Sequence, residues 1–266
     1  MSPITPIDLE RKTEQISILI YGYTGSGKTH LAGTAPDNLF LDFETGTATL
    51  LNIGLDNKGQ KVGPPFSGKA FHIDTARELK QVIAPFSDPE SSKQMVEKLG
   101  FQPKTITIDT LTRMQHHTML DIIDRREIKA GRHEDVMEIR EWGQLLIQAY
   151  RLMKILPNQG YNIIALAQRR ETEDPETKVT KFMPNLSGQW GDQIGAYFDI
   201  EAYQELREVE IGGVRKVVHR LHFQPSGSWV AKCRYKGLKP YYDDITFPEL
   251  HKLILEARGI KKGGDA

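Results

Sequence analysis

Apolar positions along the chain fall into two kinds of run. Ile16-Ser17-Ile18-Leu19-Ile20-Tyr21, Asn38-Leu39-Phe40-Leu41-Asp42-Phe43, Lys104-Thr105-Ile106-Thr107-Ile108-Asp109 and Tyr161-Asn162-Ile163-Ile164-Ala165-Leu166-Ala167 are short, nearly continuous and rich in β-branched residues. That is the pattern of strands covered on both faces. Ala70-Phe71-His72-Ile73 predicts a shorter strand. Between these runs the apolar period lengthens to that of a helix. Met114, Met119, Leu120 and Ile123 predict a helix over 111–128; Ile139, Trp142, Leu145, Leu146, Ala149, Leu152 and Ile155 predict another over 137–156 with these on one face, ended by Pro157 and Gly160. Thr75 with Glu78 three residues on reads as a capping box opening a helix over 76–85, and helix resumes at 92–99 after the break at Ser87-Asp88-Pro89. Glycines with Pro64 and Pro65 make 52–69 a loop or weak hairpin.

Beyond residue 168 the pattern changes. Residues 169–190 are polar, with Pro175 and Pro184, and predict a long surface loop. Tyr197–Tyr203 predicts a strand, Val209–Ile211 and Val214–Val218 around Gly212-Gly213 predict a hairpin, and a last helix is expected over 247–258. Strands alternating with helices and then following one another predict an α/β fold: a mostly parallel sheet flanked by helices, with antiparallel strands added toward the C-terminus. The expected organisation is a loose arm at 1–14, one domain over 15–260 and a solvated tail at 261–266.

Gly22-Tyr23-Thr24-Gly25-Ser26-Gly27-Lys28-Thr29, followed by His30, fits G-x-x-x-x-G-K-[ST], a phosphate-binding loop placed between a strand and a helix. Glycines let the backbone curl so that successive N–H groups face an anion, and the helix start adds unpaired donors. Lys28 is expected at the β- and γ-phosphates and the Thr29 hydroxyl on Mg²⁺. Asn57-Lys58-Gly59-Gln60 lacks the Asp of a guanine-reading N-K-x-D motif, which disfavours a GTP switch.

Composition narrows the classes further. Of 266 residues, 35 are Lys or Arg and 35 Asp or Glu, so zero net charge removes any whole-molecule argument for nucleic-acid binding. The single Cys233 excludes an intramolecular disulfide and a Cys-rich zinc site. Met1-Ser2-Pro3-Ile4-Thr5-Pro6 is not a signal peptide and no apolar run approaches ~18 residues, so the expectation is a soluble cytoplasmic protein without membrane contact. His116-His117 and His219-x-x-His222 lack carboxylates at zinc-site spacing and read as ordinary polar histidines.

Hydrolysis needs more than a phosphate loop. Asp109, ending a β-branched strand, suits a carboxylate of the Mg²⁺ shell; the alternative is a cap for the helix that begins at Leu111. Glu44, just past the second strand, is the candidate to activate water, or else a loop Glu. Gln168 is the candidate γ-phosphate sensor, or a polar strand end. Arg169, Arg170, Lys178 and Lys181 are candidate nucleic-acid contacts, with Phe182 and Trp190 as stacking residues; Glu171, Glu173, Asp174 and Glu176 offset their charge. Arg125, Arg126, Lys129 and Arg132 form a second basic cluster. A solvated charged surface is the alternative for both.

Phe40-Leu41-Asp42-Phe43-Glu44 after a phosphate-loop helix, and Ile163–Gln168 further on, resemble the RecA-type recombinase core. Lys232-Cys233-Arg234-Tyr235-Lys236-Gly237 resembles the K-x-R-[FY]-G element of the RadA and hexameric-helicase branches, with Lys236 as one extra residue before the glycine. The chain is most similar to the small phage-encoded RecA-like single-strand annealing proteins, which are AAA-type. The resemblance implies a RecA-like P-loop NTPase with Mg²⁺-dependent ATP hydrolysis. Glu44 would be the catalytic carboxylate, Gln168 would open a mobile DNA-binding loop, and Lys232 and Arg234 would reach a neighbouring subunit's γ-phosphate. It further implies recombination or annealing on single-stranded DNA, assembly of copies into a ring or filament, and a single-strand DNA-binding protein as a further partner. A hexameric helicase or loader motor shares this core, and a small-molecule P-loop kinase is a more distant alternative.

Overall fold

The structure is a computed structural model, and it describes residues 14–56, 58–130, 137–145, 147, 160–173 and 177–260. The expected arm and tail therefore lie outside the described residues, except for Glu14. Among the described residues ten strands form the sheet: β1 (Ser17–Gly22), β2 (Asn38–Asp42), β3 (Gly68–His72), β4 (Thr105–Asp109), β5 (Asn162–Glu173), β6 (Thr180–Pro184), β7 (Ile200–Ile211), β8 (Val214–His222), β9 (Lys232–Cys233) and β10 (Tyr241–Asp243). The helices are α1 (Lys28–Gly33), α2 (Ala76–Ile83), α3 (Pro89–Leu99), α4 (Leu111–Ala130), α5 (Gln189–Gln193) and α6 (Phe247–Ala257).

Strand order is β10-β8-β7-β1-β5-β4-β2-β3. The strands from β7 to β3 in that order run parallel, and β8, β10, β6 and β9 are added antiparallel, as expected. The continuous apolar runs are explained by two cores. In β1, Leu19 and Tyr21 enter one core with Leu41, Ile108 and Ala165, while Ile18 and Ile20 enter the other with Leu31, Phe40 and Leu166. Successive side chains point to opposite faces, so a strand buried on both must be apolar throughout.

Local signals act where they were placed. Thr75 accepts from the Glu78 N–H while the Glu78 carboxylate accepts from the Thr75 N–H, closing the capping box of α2. Gly212 (φ 60°) and Gly213 (φ 79°) both take the left-handed turn that joins β7 to β8. Three expectations need correction. Residues 169–190 are not a long loop: β5 runs on to Glu173 and pairs antiparallel with β6, and α5 follows. The cross-strand pairing with β6, Arg169 opposite Pro184 through Glu173 opposite Thr180, makes this polar stretch a ribbon. The strand placed at 197–203 begins at Ile200, after a 3-10 turn over Ile194–Tyr197. In the predicted 137–156 helix, residues 139–145 are helical, but Ile139 is 92% exposed while Glu141 and Leu145 are buried. Glu141 is tolerated there because it pairs with Arg126 of α4. The rest of that helix lies mostly outside the described residues.

Candidate functional site

The glycine loop at the C-terminal end of β1 is built from close contacts. A Cβ on Gly22 would lie 2.1 Å from the Gln204 carbonyl oxygen of β7, so only glycine fits the parallel pairing there. Gly25 (φ 84°) and Gly27 (φ 91°) take left-handed backbone that turns the chain into α1. Lys28 is buried and its ammonium donates to the carbonyls of Gly22 (3.0 Å) and Tyr23 (2.8 Å). Burial holds its pKa below the ordinary lysine value, with Asp109 and Glu44 opposing. The Ser26 hydroxyl is buried and has no hydrogen-bond partner among the described residues, as a phosphate-facing hydroxyl would.

The tips of the neighbouring strands carry the acids. Asp42 of β2 and Asp109 of β4 are in register. The Thr29 hydroxyl donates to Asp109 Oδ2 at 2.7 Å, and Asp109 is 2% exposed. Burial pushes its carboxyl up to about 7; Thr29 opposes this and the charges of Glu44 and Asp42 add to it. Asp42 Oδ1 accepts from the backbone N–H groups of Glu44 (2.9 Å) and Gly46 (3.2 Å), fixing the turn that carries Glu44. Glu44 Oε1 accepts from the Thr110 hydroxyl and from the Gln168 amide, both at 2.8 Å. The Gln168 backbone N–H donates to Thr112 Oγ1 at 3.0 Å, tying β5 to α4 where the strand passes from the parallel sheet into its pairing with β6. Thr29, Asp109, Glu44 and Gln168 thus meet at one end of the sheet, beside Lys28.

These donors suit the groups that a phosphate loop implies. Hydroxyl and carboxylate oxygens are the hard ligands Mg²⁺ takes, and a buried acid whose ionisation is held back by desolvation is one that a cation would favour in its charged form. Thr29 and Asp109 would hold the ion, and Lys28 with the loop N–H groups would hold the phosphates. Residues 14–235 match the AAA domain family. The chain belongs to that family. No curated protein matches it. Among solved structures, a KaiC-like protein from the hyperthermophilic archaeon Pyrococcus horikoshii OT3 is 13% identical, with 87% of this chain and 85% of that one covered at a TM-score of 0.38. Family, loop and acids together make this a P-loop ATPase domain of the AAA type.

The AAA domain places the other candidates elsewhere. Lys232 donates to the Gly195 carbonyl, and Arg234 reaches Asp199 Oδ1 (3.1 Å) and the Ala196 carbonyl (3.0 Å). β9 pairs with Ile200 and Glu201 at the start of β7, whereas the phosphate loop lies beside Gln204. Three to four residues of strand, roughly 10–13 Å, separate the two levels. Arg169 is held inside the domain: its guanidinium lies 5.0 Å from the Tyr23 ring centroid and 4.2 Å from that of Phe182, and it donates to Tyr203 Oη (2.9 Å) and Glu171 (2.8 Å). Arg170 faces Asp192 at 3.6 Å, Lys178 pairs with Glu173 at 3.2 Å, and Lys181 is also engaged within the chain. Trp190 is 3% exposed and packs in the core, which removes it as a stacking residue; α5, unforeseen in the sequence, turns it inward. In the second basic cluster Arg125 pairs with Asp121 and Arg126 with Glu138 and Glu141. The Lys129 side chain and Arg132 lie outside the described residues.

Sequence reasoning missed two contributors. Asp42 looked like one more residue of a strand, although the D-x-E spacing to Glu44 was visible. His219 of β8 places Nδ1 2.9 Å from the Ser26 carbonyl, and a Cβ on Gly27 would lie 2.5 Å from the same nitrogen. This histidine props the phosphate loop from the added antiparallel strand, a contact across almost two hundred residues that no local pattern announces. His30, the last of the loop candidates, is exposed at the surface, and its pKa is lowered, first by desolvation and then by His219. No helix among the described residues is long and apolar enough to cross a membrane.

Proposed function

We propose that this AAA domain hydrolyses ATP with Mg²⁺ while assembled on single-stranded DNA, and that it promotes annealing or recombination there. The carrying observation is the hydrogen bond between Gln168 and Glu44. Glu44 is the carboxylate that orients water toward the γ-phosphate, and Gln168 is the residue where β5 leaves the sheet core to become the β5–β6 ribbon. The Gln168 carbonyl also accepts from the Asn185 N–H at 2.7 Å, where the ribbon returns. A change of partner at the Gln168 amide therefore moves both feet of the ribbon.

Bound Mg²⁺ would offset charge on the phosphate oxygens. Lys28 supplies the positive charge beside the β- and γ-phosphates, and Glu44 accepts the proton of the attacking water. On the DNA side, Lys178 and Lys181 near the ribbon tip are the best placed. Lys178 and its partner Glu173 are both largely exposed, so their ion pair exchanges cheaply for a phosphate. Arg169 serves the phosphate loop instead. Lys232 and Arg234, one level down the sheet from their own nucleotide, would complete a neighbouring copy's site, where a cation stabilises the charge that builds on the γ-phosphoryl.

The test is single-stranded-DNA binding by fluorescence anisotropy at two salt concentrations, with ATPγS and with ADP. ATPγS should tighten binding, and Lys178→Glu with Lys181→Glu should weaken it and reduce the salt slope. Equal binding by wild type and the double variant, whichever nucleotide is present, would refute the ribbon as the contact.

A further inference from the structure

Asp42 is 1% exposed, and its two oxygens have different fates. Oδ1 holds the Glu44 turn through two backbone N–H groups. Oδ2 is fully buried and has no hydrogen-bond partner among the described residues. A carboxylate in that position is costly unless something cationic or protic meets it. The lysine of the phosphate loop is otherwise engaged: Lys28 donates to two loop carbonyls, and the carboxylates that act on it are Asp109 and Glu44.

The sheet register shows which side chains neighbour Asp42. Asp42 pairs in parallel register with Asp109, so both side chains rise from the same face. Two residues earlier on that face, Phe40 packs with Leu31 and Ala32 of α1. The first turn of α1 brings the Thr29 hydroxyl onto Asp109. The Asp42 carboxylate is therefore a neighbour of Asp109, on which its charge acts, and its unpartnered oxygen belongs to the side of the sheet that carries the Thr29–Asp109 pair, the place assigned above to Mg²⁺. A residue needed only to hold the Glu44 turn could be Asn, Ser or Thr, each with an acceptor oxygen and no charge.

We propose that Asp42 is a positioning residue of the Mg²⁺ site: Oδ2 accepts hydrogen bonds from water ligands of the ion while Oδ1 holds the turn that carries Glu44. One carboxylate then ties the arrival of the ion to the placement of the water-activating acid. The inference rests on the proposed Mg²⁺–nucleotide reading but is tested without hydrolysis. Outer-shell partners of this kind typically change metal affinity by about tenfold to a hundredfold when removed.

The experiment is Mn²⁺ binding to the ADP complex by electron paramagnetic resonance, for wild type and Asp42→Asn, with ADP affinity in EDTA and melting temperature measured alongside. Asn keeps an acceptor for the Glu44 and Gly46 N–H groups and removes the charge. Mn²⁺ affinity should fall about tenfold or more. ADP affinity in EDTA should stay within twofold, and the ligand-free melting temperature should hold or rise because a like charge beside Asp109 has gone. If Asp42→Asn does not fold, Asp42→Ser carries the same comparison. Wild-type Mn²⁺ affinity in the folded variant, or a lower melting temperature with unchanged Mn²⁺ affinity, would reduce Asp42 to a loop cap and overturn the inference while leaving the ATPase reading intact. Absence of Mn²⁺ binding by the wild-type ADP complex would overturn both.

Discussion

Replacing Asp109 by Asn should remove a pH dependence from the stability of the ligand-free, metal-free protein. Burial raises the Asp109 pKa from 3.8 to about 7 in the folded state. Well below its unfolded pKa of 3.8 the group is protonated whether the chain is folded or not, and it contributes nothing to the difference. Between about 4 and 7 the unfolded chain gives up this proton while the native state keeps it. The native state then binds more protons, and stability falls as pH rises. At 1.36 kcal/mol per pH unit, about three units cost about 4 kcal/mol, and the loss levels off above pH 7. Asn has no proton to lose, so the variant should match wild type within about 1 kcal/mol near pH 4.5, the worth of an altered hydrogen bond to Thr29, and exceed it by several kcal/mol at pH 8. The assay is urea unfolding in EDTA at half-unit steps from pH 4.5 to 8, read as the difference between the two proteins. Glu201, also raised by burial, titrates in both and cancels. A difference that is the same at pH 5 and pH 8 would refute the reasoning.

Other predictions follow from packing. Gly22→Ala forces a methyl against the Gln204 carbonyl, backbone against backbone, and should cost about 2 kcal/mol in chemical denaturation as well as nucleotide affinity. Arg126→Ala leaves the Glu141 carboxylate, 4% exposed, buried beside α4 and should cost about 3–5 kcal/mol by the same assay; adding Glu141→Gln should restore much of it.

The phosphate loop and the strands that present Asp109, Glu44 and Gln168 could be read from the chain because each depends on neighbours within a few residues. Two buried faces force continuous apolar runs, and glycine spacing forces the curl before α1. What escaped depends on distant partners. Charges in 169–173 and 178–181 looked like those of a loop, because cross-strand pairing of β5 with β6 cannot be seen one strand at a time. Ile139 looked like a core position, but it stands exposed at the start of the described helix, while Glu141, paired with Arg126 of α4, is buried beside Leu145 of the same segment. Arg169 looked like a nucleic-acid contact, yet two aromatic rings and a tyrosine hydroxyl claim it. His219 reaches the loop only because β8 is the second strand outward from β1.

The account turns on Glu44 as the acid that activates water. Single-turnover ATP hydrolysis by Glu44→Gln, with nucleotide affinity measured on the same preparation, tests it most directly. Gln keeps an oxygen for Thr110 and Gln168 but cannot take a proton, so turnover should fall by about a hundredfold or more while affinity stays within a few fold. Turnover near that of wild type would contradict the assignment and, with it, the link from nucleotide to ribbon.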